Sequence, residues 1–233
     1  MAVPFFYEPG ITNAPGHLTL SEESSKHCIQ VLRMKVGEEL QLTNGKGLSF
    51  IASIISEDKK RTVVLPGESI ITSRPAKKIS IAISILKNVT RFEWFLEKAT
   101  EIGISEIQPF ISKRTEHTRF RSDRMHGILV SAMLQSQQTW LPILHEPVSF
   151  EEIISQPPLA QQLIAHCEEG RKNFINELPS STETRMLIGP EGDFTADEIN
   201  IALQKNYLPV SLGETRLRAE TAGIVAAALL MNK

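Results

Sequence analysis

From residue 76 onward, short apolar runs alternate with helical stretches, and a chain with that rhythm folds as a parallel α/β sheet. Ile79 to Leu86 reads as a strand. Arg91 to Ile102 reads as a helix with Phe92, Phe95, Leu96, Ala99 and Ile102 as its apolar residues, stopped by Gly103. Ile107 to Ile111, Leu163 to His166, Met186 to Ile188 and Val210 to Leu212 read as further short strands. Asp123 to about Gln138 is helical, Thr195-Ala196-Asp197-Glu198 is a capping box that opens a helix to about Lys205, and Ala219 to Met231 is a strongly apolar last helix.

The first third has a different pattern. Glu39 to Leu42 and Leu48 to Ile55 alternate on either side of Thr43-Asn44-Gly45-Lys46-Gly47, which predicts a hairpin. Thr62 to Leu65 adds a strand, and Ser21 caps a helix that continues through Lys26 to Leu32. A small barrel with one helix is the simplest closure. Gly67 to Pro75 reads as a linker. The expected division is a β-barrel domain over 1–72 and an α/β domain over 76–233.

Two loops in the α/β part read as one ligand pocket. One is Leu187-Ile188-Gly189-Pro190-Glu191-Gly192-Asp193-Phe194, the other Leu212-Gly213-Glu214-Thr215-Arg216-Leu217-Arg218-Ala219-Glu220-Thr221-Ala222. Each follows an apolar run and opens a helix, which is where open α/β sheets bind ligands. Gly189 and Gly192 let the backbone bend and approach a ligand, and Pro190 fixes the turn. Neither a dinucleotide fingerprint nor a Walker loop is present, and Glu191, Asp193, Glu214 and Glu220 would repel phosphate. A cationic ligand suits them. S-adenosylmethionine, with its sulfonium and ammonium groups, is such a ligand. Arg218 is the better placed of the two loop arginines to orient a substrate, whereas Arg216 reads as a salt-bridge residue.

The formal net charge is −2, so nothing global demands a nucleic-acid partner. Charge is nevertheless uneven. Residues 77–124 hold ten Lys/Arg against six Asp/Glu, and residues 150–200 hold three against ten. The densest basic stretch is Lys113 to Arg124, where arginines mixed with Ser and Thr suit phosphate contacts and Phe120 suits base stacking; a solvated loop is the bland alternative. Cys28 and Cys167 form no CxxC pair and the histidines show no ligand spacing, so no metal is expected. The start of the chain, Met1 to Glu8, lacks the pattern of a signal peptide, and no run is long enough to span a membrane. A cytoplasmic protein is expected.

These residues carry a resemblance that spans nearly the whole chain. His27-x-x-x-Val31-Leu32-Arg33, Glu97 to Gly103 followed by Ile107-x-Pro109, Arg114, Gln135-Ser136 before Pro142, Ile188 to Gly192, and Leu212-Gly213 with Leu217 to Ala222 resemble the RsmE family. That family consists of SPOUT methyltransferases that modify N3 of uridine 1498 in 16S ribosomal RNA. In one place the sequence departs from the family pattern. An acidic residue usually precedes the Gln-Ser pair and Gly-Arg follows it, whereas this chain has Leu134, Gln137 and Gln138.

The resemblance implies a PUA-like β-barrel followed by a SPOUT α/β domain whose end is threaded as a trefoil knot. It also implies a homodimer, S-adenosylmethionine as cofactor, and 16S rRNA or the 30S subunit as partner. Leu187, Gly189, Pro190, Glu191, Gly192, Leu212, Gly213, Leu217, Thr221 and Ala222 are the expected cofactor residues. Arg218 and Glu220 are expected to orient the base, and Arg33, Lys113, Arg114, Arg119, Arg121 and Arg124 to hold RNA. Two other readings stay open: a SPOUT enzyme acting on transfer RNA or another ribosomal site, and an RNA-binding assembly factor without catalysis.

Overall fold

The computed structural model describes residues 3–13 and 16–233; the expectations that touch Met1, Ala2, Ala14 and Pro15 lie outside the described residues. The chain forms two compact units, Met1–Arg74 with Met133–Leu141, and Pro75–Ala132 with Pro142–Lys233.

The first unit is a curled five-stranded sheet. Its elements are β1 (Phe5–Tyr7), β2 (Leu18–Thr19), α1 (Glu22–Lys26) running into a π-turn (His27–Val31), β3 (Glu39–Thr43), β4 (Leu48–Ser56) and β5 (Val63–Ile71). The strand order is β1-β3-β4-β5-β2, with β1 parallel to β3 and the rest antiparallel. The hairpin forms where Asn-Gly predicts it: Asn44 Oδ1 accepts from the Lys46 and Leu48 amides, and Gly45 and Gly47 take φ of 68° and 88°. Register shifts along β4 and β5 bend the sheet around a core of Leu40, Leu42, Phe50, Ile54 and Val64. Among the described residues β1 and β2 do not pair, so the barrel is a half-barrel with two short edges.

Ser21 caps α1 as expected, its hydroxyl accepting from the Ser24 amide. The linker expectation is corrected at its start. Gly67 to Ile71 continue β5, because Ser69, Ile70 and Ile71 find ladder partners at Phe50, Ser49 and Leu48. The first unit also takes in Met133–Leu141, whose Trp140 donates from Nε1 to the carbonyls of Thr72 and Ser73.

The second unit is an all-parallel sheet of eight strands. In chain order it contains β6 (Lys78–Ser84), α2 (Val89–Ile102), β7 (Glu106–Ile111), α3 (Ser122–Gln135, except its last residues Met133–Gln135, which count with the first unit), β8 (Ile143–Leu144), β9 (Val148–Ser149) and α4 (Phe150–Ser155). It continues with β10 (Gln161–Ala165), β11 (Asn173–Phe174), β12 (Glu183–Ile188), α5 (Ala196–Gln204), β13 (Leu208–Ser211) and α6 (Ala219–Met231). The order is β11-β13-β10-β12-β6-β7-β8, with β9 also on β7. Asn88 caps α2 and Gly103, at φ 88°, ends it. Thr195 and Glu198 form the expected capping box. One buried cluster gathers Phe110, Phe150, Phe194, Ile199 and Tyr207 with Ile164 and Leu187. α6 packs on α2, β6 and β12.

Two local features have measurable consequences. Gln137 sits just past α3 at φ 58°, with its amide bonded to Leu134 O and the next amide to Met133 O. That is a Schellman cap, which favours glycine. Gln137→Gly is therefore expected to raise stability by about 0.5–1 kcal/mol in urea unfolding. The departure from the family pattern at this position thus carries a backbone cost.

Glu106 is flanked by His145 Nε2 at 3.9 Å and Lys78 Nζ at 3.0 Å, and the hydrogen bond from His145 together with that from the Lys78 ammonium outweighs burial and holds its carboxyl down at about 2. A carboxyl depressed in the folded state stabilises above its unfolded value and loses that contribution as pH falls through its folded value. Glu106→Gln should flatten the stability curve between pH about 4.5 and 2, as acid titrations of both proteins would reveal.

Candidate functional site

β13, β10 and β12 are neighbours, and their register brings Ala165, Ile188 and Val210 to one level at the carboxyl ends. A cavity of about 690 Å³ opens there. Three loops wall it: the two loops read from sequence, and a third after β10 that supplies His166, Cys167 and Lys172.

The first loop is a tethered turn. The Asp193 amide bonds to Pro190 O, and Asp193 itself takes φ 62°. The left-handed residue is thus the aspartate between Gly192 and Phe194. Its carboxylate explains the tolerance: Oδ1 accepts from the Phe194 amide at 2.8 Å and Oδ2 from the Cys167 amide at 2.7 Å, tying the first loop to the third. Gly189 is needed for another reason. A Cβ there would lie 3.0 Å from the buried Phe194 ring. Glu191 accepts from the Lys87 amide at 3.1 Å.

The second loop turns at Gly213, φ 152°, where Ser211 Oγ donates to Gly213 O. Arg218 is the N-cap of α6 but makes no side-chain capping bond. The third loop is held by Lys172, whose Nζ donates to His166 O and Glu168 O. Burial lowers the pKa of His166, which favours its neutral ring, and its buried Nδ1 has no hydrogen-bond partner among the described residues.

Of the expected cofactor residues, Gly189, Pro190, Glu191, Leu212, Gly213, Leu217 and Ala222 line the cavity. Leu187 is fully buried in the phenylalanine cluster, Gly192 faces the Arg114 stem, and Thr221 stands on α6 outside the lining. Arg218 lines the cavity and Glu220 does not. Glu220 is 6% exposed, with Oε1 3.7 Å from Arg91 Nε and Oε2 without a partner among the described residues. Arg216, read as a salt-bridge residue, lines the cavity and has no ion pair among the described residues. Sequence reading missed His166, Cys167 and Lys172 as cavity residues; it placed Asp193 in the first loop but not its left-handed turn or its bond to the third loop. The available signal was the third strand end, since loops after adjacent parallel strands share one edge of the sheet.

The expected RNA residues are dispersed. Arg33 follows the π-turn at φ 57°, beside the exposed Val31, Leu32 and Val36. His27, in the same motif, packs edge-on against Phe6. Lys113 gives its amide to Glu198 Oε1, and Arg114 Nη1 donates to Gly192 O at 2.8 Å and Phe194 O at 3.3 Å. Arg124 pairs with Glu93, and Phe120 packs edge-on against Phe92. Arg119 and Arg121 are exposed and make no side-chain hydrogen bond or ion pair among the described residues, although the Arg121 charge reaches Glu93. Among the described residues no cluster of His, Cys, Asp and Glu is arranged to hold a metal, and no helix is long and apolar enough to cross a membrane.

Residues 73–231 match the family model of the RNA methyltransferase domain, and residues 20–65 that of the RNA methyltransferase PUA domain. The chain belongs to this RNA methyltransferase family. Ribosomal RNA small subunit methyltransferase E of Rickettsia conorii is 29% identical over 216 residues, which is 91% of this chain and 88% of that protein. A crystal structure described as a probable rRNA-methyltransferase from Porphyromonas gingivalis superposes with a TM-score of 0.89 at 36% identity, over 97% of this chain and 95% of the other. Ribosomal RNA small subunit methyltransferase E from Neisseria gonorrhoeae, solved bound to S-adenosyl methionine, superposes with a TM-score of 0.90 at 27% identity, over 99% and 98%. The curled sheet of this methyltransferase is the PUA-like half-barrel of the family, and its parallel sheet is the methyltransferase domain.

Proposed function

We propose that this chain transfers a methyl group from S-adenosylmethionine to N3 of uridine 1498 in the 16S rRNA of the small subunit. The observation that carries the reading is the three-loop cavity at the ends of β10, β12 and β13, in a chain of this family. Its volume is that of a small-molecule site. Its lining fits the cofactor: Ile188, Leu212, Leu217 and Ala222 offer apolar contact, and Glu191, Asp193 and Glu214 together with Lys172, Arg216 and Arg218 suit a ligand that carries sulfonium, ammonium and carboxylate groups.

When bound, S-adenosylmethionine supplies an electrophilic methyl on a sulfonium and leaves as S-adenosylhomocysteine. As the N3–CH3 bond forms and the S–CH3 bond breaks, the N3 proton must pass to a base or to water. Alignment of N3 with the methyl is the main task of the protein. Arg218, on the cavity rim, orients the base, and Glu220 supports the start of α6 from beneath. The first unit and the exposed Arg119 and Arg121 hold the RNA backbone. α6 is apolar on all sides yet leaves Leu229 exposed and Ile224, Val225 and Ala228 partly so, which supports a homodimer packed on this face. The trefoil knot and a cytoplasmic location belong to the same reading.

Mapping methylated nucleotides in a strain lacking the gene, and again after complementation, tests the function. N3-methyluridine at position 1498 should vanish and return; loss at another position, or no loss, overturns the assignment. The pocket has its own test. Ala222→Leu adds a helix-compatible side chain into the cavity. Calorimetry should show S-adenosylmethionine affinity falling more than about tenfold while the melting temperature stays within about 2 °C. Unchanged affinity would place the cofactor elsewhere.

A further inference from the structure

The basic segment and the cofactor loop meet at one side chain. Arg114 Nη1 donates to the carbonyls of Gly192 and Phe194, the two residues that flank the left-handed Asp193. Its stem lies on the loop itself, since a Cβ on Gly192 would sit 3.4 Å from Arg114 Cβ. The neighbouring Lys113 amide is held by Glu198, which is buried and caps α5 directly after the loop. On the far side of the loop, Asp193 Oδ2 fixes the Cys167 amide and with it the third wall of the cavity. A shift of Arg114 therefore breaks its bonds to Gly192 and Phe194 unless residues 192–194 move with it.

A guanidinium presents five donors in a planar fork. The loop occupies Nη1. Nε and Nη2 have no partner among the described residues, and the side chain is exposed. That free edge has the geometry for bidentate contact with a phosphate. We propose that Arg114 is a positioning residue that couples the two ligands, one edge of its guanidinium shaping the cofactor loop and the other receiving an RNA phosphate. The proposal rests on the function proposed above. Whichever ligand binds first fixes the Arg114 rotamer and the loop, so the second meets a side chain already ordered. Linkage then requires each ligand to tighten the other by the same factor.

The test is a coupling factor. The affinity for unmethylated 16S rRNA is measured by filter binding, with and without saturating S-adenosylhomocysteine, which binds without turnover. In the wild type the cofactor product should tighten RNA binding at least about fivefold. Arg114→Ala should bring that factor to about one. Arg114→Lys keeps a charge for phosphate but lacks the second edge, so it should retain most of the RNA affinity and still lose the coupling. Arg119→Ala with Arg121→Ala should weaken RNA binding and leave the factor unchanged. A purely structural Arg114 would lower cofactor affinity without altering the factor, and that result overturns the proposal, as does a wild-type factor of one. Wild-type protein that binds neither 16S rRNA nor S-adenosylhomocysteine overturns the function itself; binding of both, independently, overturns only the coupling. Melting curves establish that each variant is folded, and Arg114→Lys carries the test if the alanine variant is not.

Discussion

Phe194→Ala is expected to cost about 3–5 kcal/mol of stability, the range for deleting a fully buried aromatic ring, and to weaken cofactor binding in the protein that remains folded. Phe194 is fully buried and stacks on Phe110 with ring centroids 6.0 Å apart and planes 5° off parallel. It also meets Phe150 at 5.8 Å. The same ring underlies the first loop, where a Cβ on Gly189 would lie only 3.0 Å from it. The residue is thus both a core pillar and the support of the first loop. Urea unfolding and calorimetry separate the two roles. Phe194→Leu should recover most of the stability by refilling volume, but less of the affinity, because leucine cannot reproduce the flat surface under Gly189. A Phe194→Ala variant within about 1 kcal/mol of wild type, well below the Phe→Ala range, would show that the cluster collapses to fill the gap and that the ring is no pillar.

The alternation of apolar runs and helices from residue 76 was enough to read a parallel α/β unit, because period and punctuation are local properties of the chain. Gly103 and Thr195 act where their chemistry places them, and α2 begins before Arg91, at Val89 behind the Asn88 cap. α4 was legible and went unread: Ser149 and Glu152 form a capping box directly ahead of Phe150, Ile153 and Ile154. β8, β9 and β11 were not legible. Each is two residues long, and they exist because a neighbouring strand offers an edge, which no window of sequence reveals. The same holds for Met133–Leu141, which joins the first unit through Trp140 and the hairpin at Gly45 and Gly47. Tertiary packing decided those residues.

The site was half legible. Glycines mark loops, so the first and second walls were found; Gly192 itself lies against the Arg114 stem and outside the cavity lining. The third wall has one glycine, Gly170 at φ 146°, set among charged residues and without the paired-glycine pattern of the first loop. His166, Cys167 and Lys172 become neighbours of the cavity only through the strand order β13-β10-β12, which depends on pairing between segments some 20 to 45 residues apart. The basic segment read as one RNA surface. In the structure Lys113 is tied to Glu198 on α5 and Arg114 to the first loop, while Arg119 and Arg121 are exposed, a distinction set by hydrogen bonds that composition cannot encode.

Gly223 provides the other large effect, and magnitudes decide its sign. A glycine in the middle of α6 costs about 1 kcal/mol relative to alanine, so Gly223→Ala would stabilise an isolated helix. Within the fold, the added Cβ would lie 2.6 Å from Phe95 Cε2 and 2.9 Å from Cδ2. Phe95 is fully buried on α2 and packs against Phe92, so it cannot swing away. Overpacking of this kind costs about 1–3 kcal/mol, which cancels or exceeds the gain in propensity. Gly223→Ala should therefore be neutral to about 2 kcal/mol destabilising, and Gly223→Val, with two further methyl groups and no propensity gain, should lose more than about 3 kcal/mol. The relief of strain has one available direction: α6 moves off α2. Because the start of α6 carries Arg218, Ala219 and Ala222 into the cavity wall, methyl transfer should fall further than the loss of folded protein explains, by up to about a hundredfold for a displacement near 1 Å. Phe95→Leu shortens the opposing ring. In a double-mutant cycle it should rescue Gly223→Ala with a favourable coupling of at least about 1 kcal/mol. Additive losses would mean that α6 and α2 do not meet at this contact, and the close approach would no longer account for the glycine.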